Sequence, residues 1–243
     1  MRRSLCHALT CIVLAAPGAA LADSASLQIL PRPANCNALM TVQLHGCQGM
    51  TVLNCKTDSG EFWRTENFRE FGLINLSHEN LDGTLFVFAT ANNSGGYFSD
   101  PSATHNTPID QVAKSGSGDI AMAGTLDMLG AQKPMSAVGT MTLLTPPLVM
   151  NGVTFQRIAR DATIEWPRPM PIFHTKSVIY FDPVSGVFFQ GEGEQLSPAT
   201  DDEISHTPAA IILPGEPGFD QPHPTYDCGD LSFLHSDIKA YQA

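Results

Sequence analysis

Apolar and polar residues alternate in short runs over most of this chain, and turn-forming residues separate the runs. Ile120, Met122, Leu126 and Met128 share one face of such a segment, which is typical of a half-buried β-strand. Few windows repeat with the helical period of about 3.6 residues, and only residues 110–114 favour a short helix. The pattern therefore predicts an all-β fold of antiparallel hairpins that form a barrel or a sandwich.

Two hairpins are predicted from turn signals. Residues 182–186 (Asp-Pro-Val-Ser-Gly) separate two runs of branched and aromatic residues. Pro183 presets the backbone of a turn, and Gly186 permits a positive φ where the chain re-enters the sheet. Residues 79–83 give a similar signal before the apolar run 84–91.

A polar stretch at residues 92–108, rich in Asn, Ser, Gly, Pro and Thr, interrupts the strand pattern. It is the best candidate for a boundary. We expect residues 23–243 to form a single β-rich region that this loop would divide into sub-lobes 36–91 and 109–230.

The first 22 residues have the features of an export signal. A basic start at residues 2–3 precedes an apolar core at residues 5–16, and the small-x-small sequence 20–22 matches a cleavage site. The apolar core is too short to span a bilayer, so no stable membrane anchor is expected. We therefore expect removal of residues 1–22 and export to the periplasm or, alternatively, to the outside of the cell.

The net charge of the chain limits the classes of molecule that it is expected to bind. Without residues 1–22 the chain has 11 basic and 24 acidic residues, a net charge of −13. Such an acidic surface argues against binding to nucleic acid. A cationic protein and an apolar small molecule remain as partner classes.

Four cysteines remain after removal of the signal: Cys36, Cys47, Cys55 and Cys228. An even number in an exported chain predicts two disulfides. Three connectivities are open, and each ties Cys228 to the N-terminal cluster. No C-x-x-C spacing supports zinc, and no cofactor is expected.

No catalytic motif emerges, and no residue is assigned a catalytic role. The chain lacks the G-x-S-x-G and H-E-x-x-H patterns. A hydrolase would need a histidine beside a serine or a carboxylate; the candidates are His105, His174, His206 and His223. A weak candidate metal site groups Asp220, His223, Asp227 and Asp230, for which a structural loop is the alternative.

Trp63 and Trp166 flank predicted strands. Two interpretations are open: they pack in the core, or they line a ligand cavity in a small barrel together with methionines.

Two resemblances bear on function. Residues 209–219, 226–229 and 151–157 resemble segments of small exported bacterial proteins of uncharacterised function, which implies a periplasmic β-rich protein without assigning an activity. Ser94-Gly95-Gly96-Tyr97 is similar to the Ser-Gly-x-x-Tyr loop of periplasmic lysozyme inhibitors. That similarity implies an inhibitor loop with Ser94 and Tyr97 as contacts. Those domains are smaller, and their second motif, an aromatic shortly before Lys-Gly, is absent here.

The leading hypothesis is a soluble exported β protein with a binding or envelope-associated role. A periplasmic hydrolase that uses a histidine with a serine or a carboxylate is one alternative. A proteinaceous inhibitor of a cationic hydrolase is the other.

Overall fold

The computed structural model of the protein describes residues 31–228, with gaps at residues 59, 92–94, 129–130, 167–171, 198–199, 205 and 222. The predicted export signal lies outside this part of the chain. The fold is all-β and antiparallel, as predicted, with one short helix, α1 (Ile109–Ser115). The strands are β1 (Cys36–Leu44), β2 (Gln48–Thr57), β3 (Gly60–Arg69), β4 (Gly72–Asn80), β5 (Leu85–Thr90), β6 (Gly96–Ser99), β7 (Ser117–Met128), β8 (Ala131–Met150), β9 (Val153–Glu165), β10 (Phe173–Phe181), β11 (Phe188–Ser197), β12 (Thr200–Ile204) and β13 (Pro208–Ile212).

The strands form a single meander that almost closes on itself. β1 to β12 follow one another across the sheet in chain order, and β13 adds to the free side of β1. β12 and β13 thus occupy opposite edges, yet only residues 205–207 separate them in the chain. The two edges must therefore lie close together, and the sheet is a nearly closed barrel. A Cβ at Gly191 of β11 would lie 3.5 Å from Pro208 of β13, which shows how near the edges come.

Both predicted hairpins are present, as β4–β5 and β10–β11. In the second, Gly186 has a φ of 75°, in the left-handed region that glycine tolerates. The carboxylate of Asp182 accepts hydrogen bonds from the backbone N–H of Val184 (2.9 Å) and the hydroxyl of Ser185 (2.6 Å). The turn is therefore held by the side chain of its first residue as well as by its backbone.

The polar stretch 92–108 does not separate two sheets. Its residues 96–99 form β6, which pairs with β5 on one side and β7 on the other. The predicted helix follows as α1, where Lys114 pairs with Asp110 at 2.7 Å. Gly118 lets α1 pack closely on the barrel, since a Cβ there would lie 2.7 Å from Cγ2 of Val112.

The barrel has two unlike ends. Because antiparallel strands reverse at each turn, the turns after β5, β7 and β9 share one end, which we call the upper end. The turns after β4 and β8 and the segment with α1 share the lower end. Ile109 and Val112 of α1 are buried in the main apolar cluster. The helix therefore closes the lower end with apolar side chains.

A C-terminal segment, residues 213–228, covers the outside of β1. Gln43 of β1 is 1% exposed although it points outward, and its side chain bonds the backbone N–H of Thr225 and the carbonyl of His223. Arg32 joins Glu66 of β3 to Asp220 of the segment. Both faces of β1 are thus buried. No helix in the described ranges is long and apolar enough to cross a membrane.

Candidate functional site

A cavity of about 390 Å³ lies inside the barrel between β5 and β10. This volume falls in the range of about 300–1,000 Å³ typical of small-molecule pockets. Apolar side chains form most of its wall: Leu85, Phe88, Ile120, Met122, Leu126, Met135, Ala137, Ala162, Ile164, Trp166 and Phe173. The cavity can therefore hold an apolar molecule.

Strand alternation explains why these residues face inward. Ala137 of β8 pairs with Ile164 of β9, and both line the cavity. The next residue on β8, Val138, points outward and is 55% exposed. One strand thus supplies an apolar wall and an exposed outer surface.

Arg160 is the charged side chain in the cavity wall. It lies on the inward face of β9, two residues from Ala162, and donates a hydrogen bond from Nη2 to Oε1 of Gln190 at 3.0 Å. Its Nε is buried and has no hydrogen-bond partner among the described residues. In that part of the chain no acidic group lies within the 4.0 Å of an ion pair. The described residues therefore satisfy the hydrogen-bonding capacity of the guanidinium only in part.

Other buried polar atoms without a partner in the described chain belong to residues that line the cavity or lie on the inward face of the sheet. Nε1 of Trp166 is one, and Trp166 itself lines the cavity. Nε1 of Trp63 is another, on a residue that pairs with Glu79 on the inward face. Oγ of Ser177 is a third: Ser177 lies two residues from the cavity-lining Thr175 on β10 and so shares its face of the strand. Buried N–H and O–H groups usually find a partner, so the interior has hydrogen-bonding capacity that water or a ligand can use.

Glu79 lies deeper, towards the lower end. It is on the inward face of β4, opposite Leu85 of the cavity wall. Desolvation raises the pKa of its carboxyl to about 7, opposed by a hydrogen bond from Ser77 and by the charge of Arg160. Desolvation likewise lowers the pKa of Arg160, which still stays protonated because an arginine titrates far above neutral pH. Below about pH 7 Glu79 is therefore largely neutral and does not balance the positive charge of Arg160.

A second depression, of about 510 Å³, shares the wall residues Trp166 and Met135 with the cavity. Asp100, Ser136 and Glu165 contribute to its wall, and it is more open than the interior cavity. It lacks the apolar enclosure that would retain a small molecule.

The candidates for an inhibitor loop are placed as follows. Tyr97 lies in β6, is 4% exposed and lines the cavity, and its hydroxyl donates a hydrogen bond to the carbonyl of Ala123 at 3.0 Å. Ser94 lies outside the described residues. Tyr97 thus belongs to the interior wall.

The weak metal candidates have separate partners. Asp220 accepts two hydrogen bonds from Arg32 at 2.9 Å. Asp227 accepts from the backbone N–H of Gly46 and lies 2.7 Å from Nδ1 of His45. His223 is exposed, and Asp230 falls outside the described chain. In the described part, no group of three or more His, Cys, Asp or Glu side chains could hold a metal ion.

Of the four histidines proposed for a hydrolase, His206 is half-buried just before β13, and the other three are exposed. Nδ1 of His174 lies 3.0 Å from the hydroxyl of Thr163. His45 pairs with Asp227, and both side chains are exposed on the outside of the barrel. The hydrolase hypothesis stays a prediction.

The four cysteines form two disulfides. Cys36 bonds Cys55, and the two residues face each other across β1 and β2. Cys47 bonds Cys228, which ties the turn after β1 to the C-terminal segment. The pairing thus joins the two ends of the barrel sequence, as each of the three connectivities required.

Sequence reasoning did not single out Arg160 or Glu79. The sequence did contain a hint for Arg160. It alternates with the apolar residues Ile158 and Ala162 along β9, so it shares their inward face. Glu79 had no such signal, because Asn75 and Ser77 make the inward face of β4 polar. Trp166, in contrast, lies in the cavity wall with Met122 and Met135, which matches one of its two interpretations.

Comparisons with models of protein families, with curated proteins and with solved structures find no match for this chain. The resemblance to small exported bacterial proteins therefore stays a prediction.

Proposed function

We propose that this protein is an exported binding protein that holds an apolar small molecule inside its barrel. The observation that carries the proposal is the cavity of about 390 Å³, walled by aliphatic and aromatic side chains from strands β5 to β10. Moving a ligand's apolar surface from water into such a wall stabilises binding by roughly 25 cal/mol per Å². Two disulfides are compatible with export to an oxidising compartment.

The arrangement favours carriage over catalysis. Among the described residues, the cavity wall holds no histidine or cysteine, and its one charged group is an arginine. Nucleophilic catalysis requires a nucleophile within hydrogen-bond reach of a base, and the described cavity residues offer no such pair.

Filling the cavity tests this proposal. The neutral dye N-phenyl-1-naphthylamine is expected to bind the unmodified protein with increased fluorescence. Ala137→Phe places an aromatic ring inside the cavity and is expected to weaken dye binding by about tenfold or more. The measurement is a fluorescence titration, with circular dichroism to verify the fold.

Val138→Phe is the matched control, because it adds the same ring to the outer face of the same strand. It should bind the dye like the unmodified protein. Failure of the unmodified protein to take up the dye, or equal binding by Ala137→Phe, would contradict the proposal.

A further inference from the structure

We propose that the ligand is a single-chain amphiphile with an anionic head, whose apolar tail fills the cavity and whose carboxylate or phosphate is bound by Arg160. This inference rests on the proposed function and specifies the chemistry of the ligand. It follows from Arg160, the one charged group among the described residues of the cavity wall, and from the apolar surface that surrounds it.

The first argument is the state of Arg160. Its Nη2 donates to Gln190, a neutral amide, and its Nε is buried without a partner in the described chain. Leaving a charged donor in an apolar wall costs free energy, and an anionic oxygen offsets that cost. A carboxylate or phosphate matches the planar donor fork of a guanidinium with two parallel hydrogen bonds.

The second argument is the charge balance inside the barrel. Glu79 is the acidic residue whose charge acts on Arg160. It does not line the cavity, and no ion pair joins it to Arg160 within 4.0 Å in the described structure. Arg160 thus lines the cavity, and its charge is offset by Glu79 only beyond ion-pair distance.

The third argument is the rest of the wall. Trp166, which lines the cavity and also borders the second depression, carries a buried indole N–H without a partner in the described ranges and so has a donor to offer an acceptor group. The remaining surface is dominated by Phe88, Met122, Ile164 and Phe173. Donors and apolar side chains in one cavity fit an acceptor head on an apolar tail.

The cavity's size and the protein's charge narrow the ligand further. A volume of about 390 Å³ suits one aliphatic chain and is small for a two-chain lipid. The net charge of −11 over the full sequence gives no long-range attraction for an anion. Recognition of the head would therefore come from short-range contact with Arg160, which is half-buried in the cavity wall, where a charged hydrogen bond is stronger than in water.

Competition against N-phenyl-1-naphthylamine tests the inference. Decanoate and decyl phosphate supply two anionic heads on the same tail, and decanol supplies a neutral one. The unmodified protein is expected to bind at least one anion about tenfold or more tightly than decanol. The relative affinities of the two anions then identify the head group.

Arg160→Met keeps much of the side-chain volume and removes the charge, so it should lose the preference for the anion and still bind decanol. Arg160→Lys keeps the charge and should retain part of the preference. Arg157→Met is the matched control: it removes an arginine from the outward face of the same strand, where Arg157 lies near Glu192, and should change nothing.

The outcomes separate the two proposals. Dye uptake without any preference for an anion overturns the anionic head and leaves the apolar carrier standing. A preference that survives in Arg160→Met also overturns the role of Arg160. If Arg160→Met fails to fold, the comparison of decanoate with decanol in the unmodified protein still decides. Absence of dye uptake by the unmodified protein is a failure of the proposed function itself.

Discussion

Replacing Cys47 and Cys228 by alanine is expected to lower the free energy of unfolding by about 5 kcal/mol. The bond closes a loop with a sequence separation of 181 residues, and the entropy that a disulfide removes from the unfolded chain grows with loop length. Urea unfolding monitored by tryptophan fluorescence measures the effect.

The second disulfide provides a matched comparison. Cys36 and Cys55 are only 19 residues apart, and the same relation gives about 3 kcal/mol for their replacement by alanine. The long-range bond should therefore contribute about 2 kcal/mol more than the short-range one. Equal losses, or a larger loss for Cys36 and Cys55, would show that the C-terminal segment does not constrain the unfolded chain in this way.

Non-covalent contacts also hold the C-terminal segment, and they determine what remains after the bond is removed. Gln43, Arg32 and Thr41 bind backbone or side-chain groups of residues 220–225. We expect the barrel to keep its far-ultraviolet circular dichroism without the Cys47–Cys228 bond, since no strand pairing depends on the segment.

Substitution of Glu79 and of His78 is expected to change the pH dependence of stability in opposite directions. The two are neighbours on β4: Glu79 faces the interior, whereas His78 faces outward and is 7% exposed. Desolvation raises the pKa of Glu79 from 4.5 to about 7. Desolvation and the charge of Arg64 lower the pKa of His78 from 6.5 to about 4.

The sign follows from the protons bound in each state. Between pH 4.5 and 7 the unfolded chain has lost the Glu79 proton that the folded protein keeps, so this group makes stability fall as the pH rises. Between pH 6.5 and 4 His78 is protonated in the unfolded chain but stays neutral in the folded protein. This group therefore makes the free energy of unfolding fall as the pH drops. Each contribution is about 3 kcal/mol over its window, and the two nearly cancel.

Single variants should separate the two contributions. Relative to the unmodified protein, Glu79→Gln should become more stable as the pH rises from 4.5 to 7.5, by about 3 kcal/mol over that range. His78→Gln should show the reverse trend. The difference in free energy of unfolding between each variant and the unmodified protein isolates the substituted group, because the other titrating groups are common to both proteins. Urea unfolding at a series of pH values measures the slopes, and slopes of the same sign in both variants would refute the assignment.

The fold was predictable where local signals agreed. The turn at residues 182–186 was predicted because Pro183 and Gly186 constrain its backbone directly. Alternation along β7 predicted its inward face. Whether the strands form a barrel or a sandwich could not be predicted, because closure depends on the pairing of β13 with β1, residues separated by most of the chain.

The site was less predictable, because its residues come together only through long-range pairing. Tyr97 was predicted to be a loop contact because residues 94–97 resemble an inhibitor loop, whereas pairing with Phe88 and Leu126 makes it a wall residue. Asp220 and Asp227 were grouped because they are close in sequence. Their partners, Arg32 and His45, lie more than 180 residues earlier in the chain, and only the packing of the C-terminal segment on β1 assigns them.

A crystal structure of the protein with bound decanoate tests the central claim most directly. The account predicts the tail in the cavity between β5 and β10, beside Met122 and Phe173, with the carboxylate within hydrogen-bond distance of Arg160. Decanoate found only on the outer surface, or a cavity filled by ordered water in crystals grown with saturating decanoate, would contradict the account.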